Sequence, residues 1–556
     1  MHIAGYSGKA TGQRVEAGAD GRGRIVRIVR LWLSRARSLR RAQPYLLIAL
    51  CSTTYFYSFM NVLLHRTDEG TLINGAVRVA EGQIPYRDFF EVMGPGTFYW
   101  LALFFKCFGT TWTATRISLM LTSVVTTVLV YGLARRLQTG FEAIVAVLLA
   151  AVSFGLIWPT ISHHSDSNLF ALLSFAALVA WLDHDKPGLI FLAGFGAGVT
   201  TCFLQPKGGF LFLSFLAVLW FLERNKPKFW RSLAWLSFGY ATVAAGVLSM
   251  FWAANGLPDF VTDTLVWPLT RYSGVNSVPY GTGLFAYYWQ RWTAPLASQF
   301  GPFFGYGAGS ILLVPHLLIA ALPVLLVAIA CYQRSAAFSR TTIPYWIVGL
   351  ALWLSELHRK DIMHLAYGSP LLVILLFYLS QRLRSRWRVP ALHLISICAV
   401  TLAGFNLLVV LTARHEIGTR RGVVRSFGGD SVMTFLNSHT SPGNTLFAYP
   451  YCPMYYFLAA EKNPTRFSFL LYDMNTDSQF AEVVRQLEEA KVRYVLWDKT
   501  QEEEGIKWAY PPGWEPRRNN QIIEPYLLKN YRIVKTVDDV RILERKQGDT
   551  SAGSAR

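Results

Sequence analysis

Residues 44–70 read PYLLIALCSTTYFYSFMNVLLHRTDEG, an apolar run that ends on two adjacent carboxylates, Asp68 and Glu69. The run is long enough to cross a bilayer core of about 30 Å as a helix. Similar runs recur along the 556 residues, of which 52% are hydrophobic and 16% charged, with a mean hydropathy of +0.29. This composition predicts a polytopic helical membrane protein and excludes an ordinary soluble domain.

The distribution of basic residues predicts the topology. Five short loops fall inside if the arginine-rich N-terminus is cytoplasmic, and together they hold thirteen Lys and Arg, whereas the longer outer loops hold nine. This bias is the positive-inside rule, so the net charge of +19 reflects topology and not a nucleic-acid partner. About eleven membrane spans are predicted, at residues 44–64, 112–133, 142–158, 168–183, 188–205, 208–223, 232–254, 308–332, 342–357, 363–380 and 390–412.

The domain organisation follows from these spans. A basic cytoplasmic segment, 1–43, precedes a membrane domain, 44–412, whose external loops are 65–111, 159–167, 255–307 and 356–364. Residues 413–546 are expected to form a small extracytoplasmic α/β domain, with strands in NTLFAYPY and VRYVLWDK, an amphipathic helix in DSQFAEVVRQLEEAK and a terminal hairpin. The tail 547–556 is expected to be disordered. The six scattered cysteines predict neither a disulfide framework nor a zinc motif.

The first external loop has two further helical segments. TLINGAVRVAEG, residues 71–82, has apolar positions at helical spacing, with Thr67 or Asp68 as the cap. TFYWLALFFKCFG, residues 97–109, is too short to span the membrane and is expected to lie flat in the interface. The intervening IPYRDFFEVMGPG predicts a turn-rich connection.

These segments resemble the GT-C superfamily of glycosyltransferases, near its protein O-mannosyltransferase and lipid A aminoarabinose transferase branch. The resemblance rests on DEG at 68–70 after the first span, on PYRDFFEVMGPG at 85–96, on HHSDSN at 163–168 and on the extracytoplasmic α/β tail. It implies a GT-C-like helical membrane fold with interfacial helices, and transfer of a sugar from a polyprenyl-phosphate carrier on the outer face of the membrane. One departure is that Glu91-Val92-Met93-Gly94-Pro95 stands where the aminoarabinose branch has Glu-Lys-Pro-Pro, so a lysine for the carrier phosphate is missing there.

The first-loop acids are candidates for acid–base work. An acceptor hydroxyl that attacks the anomeric carbon needs a carboxylate within hydrogen-bond reach to remove its proton. We expect Asp68 to be this base, with inversion at the anomeric carbon, and Glu69 to support it by a hydrogen bond or by its charge. The alternative is that Asp68 only caps the following helix.

Two further acids, Asp88 and Glu91, have a functional and a structural interpretation of equal weight. In the functional one they orient the acceptor or help to hold a divalent cation. In the structural one they are solvated loop acids, with Asp88 paired with Arg87. In the second external loop, Asp166 and His164 are candidate metal ligands, and the alternative is a polar turn between spans.

The growing negative charge on the leaving phosphate needs cations beside it. The candidates are Lys207 in FLQPKGG and Arg359, Lys360 and His364 in ELHRKDIMH, all expected at the outer membrane edge. The alternative for the basic residues is that they reach for lipid headgroups from helix ends.

The resemblance also implies the partners and the location. They are a polyprenyl-phosphate sugar donor, a lipid, glycan or protein acceptor, and membrane lipids, in a bacterial cytoplasmic (inner) membrane with the C-terminal domain outside. A transporter or flippase of lipid-linked sugars is the alternative function; it should have internal repeats and ionisable groups at mid-span, which the sequence does not offer. A scaffold would not need three external acidic loops.

Overall fold

The computed structural model describes residues 42–63, 66–138, 140–154, 159–272, 277–283, 293–333, 337–383, 385–471, 473–501, 522–537 and 539–546. The chain divides into two compact units, residues 1–51 and 52–556. In the first unit residues 42–51 are helical, and in the second the first helical residues are 52–57. The predicted basic N-terminal segment, up to residue 41, and the predicted disordered tail lie outside the described residues.

Helical residues coincide with every predicted span. After the helical residues 42–57, the apolar helices are Trp112–Leu137, Phe141–Phe154, His163–His184, Pro187–Phe203, Gln205–Glu223, Phe229–Ala253, Pro302–Gln333, Ile343–Ser355, Ile362–Gly368, Pro370–Ser380 and Ser385–Leu411. Short helical segments, two of them π-helical, lie between these at Leu257–Val261, Thr262–Val266, Pro268–Tyr272 and Ala294–Phe300.

Fewer helices than predicted have the length of a full span. Within the described residues, six are long and apolar enough to cross a membrane, and there are seven if Ile362–Gly368 and Pro370–Ser380, bent by 69°, count as one. Helices such as Ile343–Ser355, with 13 residues, are shorter than a bilayer core is thick. The predicted eleven segments therefore combine full-length helices with shorter ones.

Glycines let two of the membrane helices touch through their backbones. A Cβ on Gly194 would lie 1.9 Å from the carbonyl oxygen of Leu236, and one on Gly239 would lie 2.2 Å from that of Phe191. Helices Pro187–Phe203 and Phe229–Ala253 can approach this closely because both positions lack a side chain.

The first external loop has its two predicted helices, Asp68–Ala80 and Gly96–Phe108. The turn-rich connection between them lies against the end of helix Pro187–Phe203. A Cβ on Gly94 would lie 2.2 Å from the carbonyl oxygen of Cys202, so the backbone approach depends on this glycine.

The C-terminal region has the predicted strands and helix. Four strands, β3 (Leu446–Tyr449), β4 (Tyr494–Asp498), β5 (Tyr531–Val537) and β6 (Val540–Arg545), form one sheet in the order β3-β4-β6-β5. Strand β3 runs parallel to β4, whereas β6 runs antiparallel to β4 and forms an antiparallel hairpin with β5. A separate hairpin pairs β1 (His415–Thr419) with β2 (Gly422–Ser426). The remaining elements are Ser431–His439, Met454–Leu458, Asp477–Ala490, Lys499–Gln501 and Ile523–Asn530.

The first external loop and the C-terminal region share one hydrophobic core. Leu72 and Phe98 from the loop are buried in the same cluster as Leu446, Leu496 and Ile542 from the sheet. Phe105 also stacks on Phe457, with ring centroids 6.0 Å apart. One face of the aromatic helix Gly96–Phe108 is therefore covered by protein, and the structure does not test whether its other face lies in the membrane interface.

The contact at Gly94 gives a test of this packing. Gly94→Ala places a methyl group against a backbone carbonyl and should cost about 1–3 kcal/mol. We expect a lower unfolding temperature in detergent for Gly94→Ala than for Gly429→Ala, whose Cβ would meet no atom within 4 Å. Equal unfolding temperatures would contradict the close approach.

Candidate active site

Asp68 and Glu69 point in different directions because they are neighbours on the first turn of helix Asp68–Ala80. Glu69 is 1% exposed, whereas Asp68 is exposed. Thr67 occupies the N-cap position without a side-chain cap hydrogen bond, and Asp68 is the first residue within the helix. The predicted cap at Thr67 is therefore confirmed by position, although no side-chain hydrogen bond caps the helix there.

Glu69 anchors the start of this helix inside the protein. Its Oε1 lies 2.8 Å from a guanidinium nitrogen of Arg116, on helix Trp112–Leu137, and accepts the backbone N–H of Ile161 at 3.0 Å. The Arg116 guanidinium also lies over the Trp112 ring, 3.8 Å from its centroid. Glu69 thus joins the first external loop to the second. Neither of these two contacts of its carboxylate involves Asp68.

Asp68 faces two tyrosines. The hydroxyl of Tyr451, which follows strand β3, donates a hydrogen bond to Asp68 Oδ1. Burial, opposed by the charge of Arg359 and assisted by those of Asp68 and Asp361, raises the pKa of Tyr272 to about 12. Because all three charges act on this one hydroxyl, Asp68 and the 356–364 loop both lie near Tyr272.

Within that loop, Glu356 is a buried junction between three helices. Its two oxygens lie 2.6 Å from Lys207 Nζ and 2.9 Å from His164 Nδ1. Burial would raise the pKa of Glu356, but Lys207 and then His164 hold it well below its usual range. Lys207 is fully buried and also donates to Asn168 Oδ1 at 2.7 Å. It neither reaches for headgroups nor points to an open phosphate position, because its charge is used to compensate Glu356.

Four side chains around this junction could hold a cation. The ligand atoms of His164, Glu356, His358 and His364 all lie within 4.8 Å of one another. Burial, followed by the charge of His364, lowers the pKa of His358, which favours the neutral imidazole that a metal needs. Three imidazole nitrogens and one carboxylate form a donor set that suits Zn²⁺.

The other residues of the loop form a second polar group. Asp361 caps helix Ile362–Gly368 by accepting the backbone N–H of His364 at 3.0 Å. It also lies 2.7 Å from His364 Nδ1 and accepts from Arg359 Nε at 2.6 Å. Burial would raise the pKa of Asp361, but His364 and Arg359 hold it well below its ordinary value. Lys360 is half-buried, and its carbonyl accepts the N–H of Gly281.

The remaining candidate acids lie elsewhere. Asp88 is paired with Arg87, 2.8 Å away, which lowers the pKa of its carboxyl group, and it accepts the N–H of Ile84 at 2.7 Å. Glu91 is 0% exposed, and burial raises its pKa well above the usual range. Asp166 accepts hydrogen bonds from Thr97 at 2.9 Å and Thr122 at 3.4 Å, so it does not join His164 in the cation group.

Sequence reasoning missed several residues of this site. Glu356 and His358 belong to the quoted ELHRKDIMH segment and could have been found from its cluster of ionisable groups. Arg116 is a cation within an apolar span, which is itself a signal for a partner. Tyr272 and Tyr451 carry no sequence signal, since the chain has 26 tyrosines.

A match to a known family covers part of the chain. Residues 93–252 match the family described as dolichyl-phosphate-mannose-protein mannosyltransferase. This region contains Asp166, His164 and Lys207 but not Asp68 or the 356–364 loop. No curated protein sequence matches the chain significantly.

Solved structures of similar fold cover almost the whole chain. ArnT from Cupriavidus metallidurans bound to undecaprenyl phosphate has a TM-score of 0.54 at 12% identity, covering 92% of this chain and 99% of that one. The same protein in the apo state gives 0.56 at 11% identity, with 91% and 98% covered. The apo oligosaccharyltransferase of Archaeoglobus fulgidus gives 0.50 at 12% identity, with 91% and 75% covered. The predicted resemblance to GT-C glycosyltransferases and the predicted fold class are confirmed.

The Lys207–Glu356 pair can be tested by a double-mutant cycle. Lys207→Met removes the cation and leaves Glu356 buried beside His164 alone, which should cost about 3–5 kcal/mol of stability. Adding Glu356→Gln should recover much of this loss, because the uncompensated charge disappears. Thermal unfolding in detergent measures both steps, and strictly additive effects of the two substitutions would contradict the pairing.

Proposed function

We propose that this chain, which has the GT-C fold, is a membrane glycosyltransferase that transfers a sugar from a polyprenyl-phosphate carrier to an acceptor hydroxyl, with Asp68 as general base. The observation that carries the proposal is that an exposed Asp68 carboxylate and one cation of the 356–364 loop, Arg359, both lie near the hydroxyl of Tyr272. A base and a set of cations that face one space are what displacement of a phosphate by a hydroxyl requires.

The base removes the acceptor proton while the new bond to the anomeric carbon forms. The electron pair of the carbon–oxygen bond to the carrier leaves with the phosphate, which needs no proton. A single displacement of this kind inverts the anomeric configuration. Glu69 supports the reaction by fixing the start of helix Asp68–Ala80 on Arg116, so that Asp68 faces outward.

Arg359, Lys360 and His364 are proposed to stabilise the charge that develops on the leaving phosphate. Arg359 and His364 are oriented by Asp361, which contacts both. Lys207 acts through Glu356 and not on the phosphate, since its ammonium group is fully buried. Asp88 and Glu91 are proposed to shape the connection beside the site; the buried Glu91 lies close enough for its charge to act on Tyr451.

A divalent cation fits His164, Glu356, His358 and His364. When bound it would supply additional positive charge for the leaving phosphate. Asp166 supports this group indirectly, by fixing the first turn of helix His163–His184 on Thr97 and Thr122.

The carrier and the compartment are inferred by similarity. The ArnT structure contains undecaprenyl phosphate, which supports a polyprenyl phosphate as the donor carrier. The basic inner loops support an extracytoplasmic site in a bacterial inner membrane, with the N-terminus in the cytoplasm. The acceptor is a lipid, a glycan or a protein that presents a hydroxyl group at that surface.

The role of Asp68 can be tested with purified protein and a panel of polyprenyl-phosphate sugars. Asp68→Asn should lower kcat by about 10²–10⁴-fold, because the acceptor proton has no base. Asp477→Asn is the matched control, since Asp477 is also an exposed first residue of an external helix. Turnover by Asp68→Asn at the wild-type rate would eliminate Asp68 as base, and no turnover of any donor by the wild type would favour a transporter.

The cation group can be tested without turnover. Protein stripped with a chelator should bind Zn²⁺ in calorimetry, and His358→Ala should weaken this binding by at least about tenfold because one of four ligands is lost. His415→Ala, an exposed histidine on strand β1, is the control. Equal Zn²⁺ affinity in all three proteins would exclude this group as the ligand set.

A further inference from the structure

The C-terminal region contributes a side chain to the candidate active site. Tyr451 follows strand β3, whose residues Leu446–Tyr449 pair with Tyr494–Trp497 of β4. Its ring lies edge-on to Phe469, with centroids 5.8 Å apart, and its hydroxyl donates to Asp68 Oδ1. The base proposed for the membrane domain therefore has a hydrogen-bond donor from a different part of the chain.

The backbone on both sides of Asp68 is fixed to the same C-terminal segment. Before it, the carbonyl of Arg66 accepts the N–H of Met454 at 3.3 Å. After it, Gly70 lies so close to Met454 that a Cβ on the glycine would be 2.5 Å from the Met454 nitrogen. The distance between Tyr451 and Asp68 is thus set by backbone contacts at residues 66 and 70.

An ion pair with one buried partner reinforces this attachment. A guanidinium nitrogen of Arg66 lies 2.9 Å from Asp430, whose side chain is 1% exposed. The Arg66 guanidinium also donates to the hydroxyl of Tyr455 at 2.9 Å. Three residues of the segment 451–455 therefore contact residues 66–70, and the contact does not depend on one flexible side chain.

Tyr451 is a permanent donor. Burial, followed by the charge of Asp68, raises the pKa of the Tyr451 hydroxyl well above its usual range, so the hydroxyl keeps its proton at physiological pH. A donor on one carboxylate oxygen fixes the plane of the Asp68 carboxylate. The exposed side of the group is left to meet the acceptor hydroxyl.

We propose that Tyr451 is a positioning residue that orients Asp68, so that the C-terminal region completes the active site. This inference rests on the proposed function of Asp68. Tyr451 donates to Asp68, and the charges of Asp68, Arg359 and Asp361 all act on the hydroxyl of Tyr272. Those beside it in the chain, Arg66 and Glu69, are engaged with Asp430 and Arg116.

The test uses the sugar donor of the panel that the wild type turns over fastest. Tyr451→Phe keeps the ring and removes the donor; kcat should fall about tenfold with little change in KM, because the orientation of the base matters in the transition state and not for substrate binding. A wild-type kcat would overturn the proposal.

The control variant lacks a different tyrosine hydroxyl of the same region. Tyr449→Phe deletes a hydroxyl that donates to Glu524 at 3.1 Å, and it should leave kcat unchanged. If Tyr451→Phe does not fold, O-methyltyrosine at position 451, which also lacks the donor proton, replaces it. Its kcat should fall in the same way, and a wild-type kcat would again overturn the proposal.

Asp68→Asn, measured beside Tyr451→Phe, separates this inference from the proposed function. If Asp68→Asn is inactive and Tyr451→Phe is normal, only this inference fails; if Asp68→Asn is fully active, the proposed function fails.

Discussion

The buried pair of Glu69 and Arg116 is the constraint on which the rest of the site depends. Two charges removed from water are costly unless they are close together, and here the carboxylate also takes a backbone N–H from the second external loop. The pair therefore fixes the first turn of helix Asp68–Ala80 against helix Trp112–Leu137. Since the next side chain on a helix points about 100° away, burying Glu69 exposes Asp68.

The first external loop and the C-terminal region are held together by a shared hydrophobic core. The loop is too polar at its start to lie in the membrane and too apolar in its helices to stand alone in water. Its buried residues find partners in the sheet of the C-terminal region, with which they form a common core. The C-terminal region, which begins directly after the last apolar helix, thus packs against the loop that carries Asp68 and donates a hydrogen bond to it.

The sequence predicted most of the elements and part of the site. Hydropathy places helical residues at every predicted span, because burial in lipid leaves a long apolar pattern. It overstates the number of full spans, because a 13-residue helix such as Ile343–Ser355 can be as apolar as a longer one. The pairing of Asp88 with Arg87 was foreseen from adjacency, but the partners of Lys207 and Glu69 are distant in sequence, and only the fold brings them together. The division of His164 and Asp166 between two groups follows from helix periodicity, which applies only once the second loop is known to begin a helix.

The central claim is that Asp68 and the cations of the 356–364 loop face one substrate space. Cryo-electron microscopy of the protein in nanodiscs with undecaprenyl phosphate tests this most directly. The account predicts phosphate density beside Arg359, Lys360 or His364, with the Asp68 carboxylate across an open gap wide enough for a sugar. Phosphate bound on the opposite side of the helix bundle, or an Asp68 carboxylate turned away from it, would contradict the account.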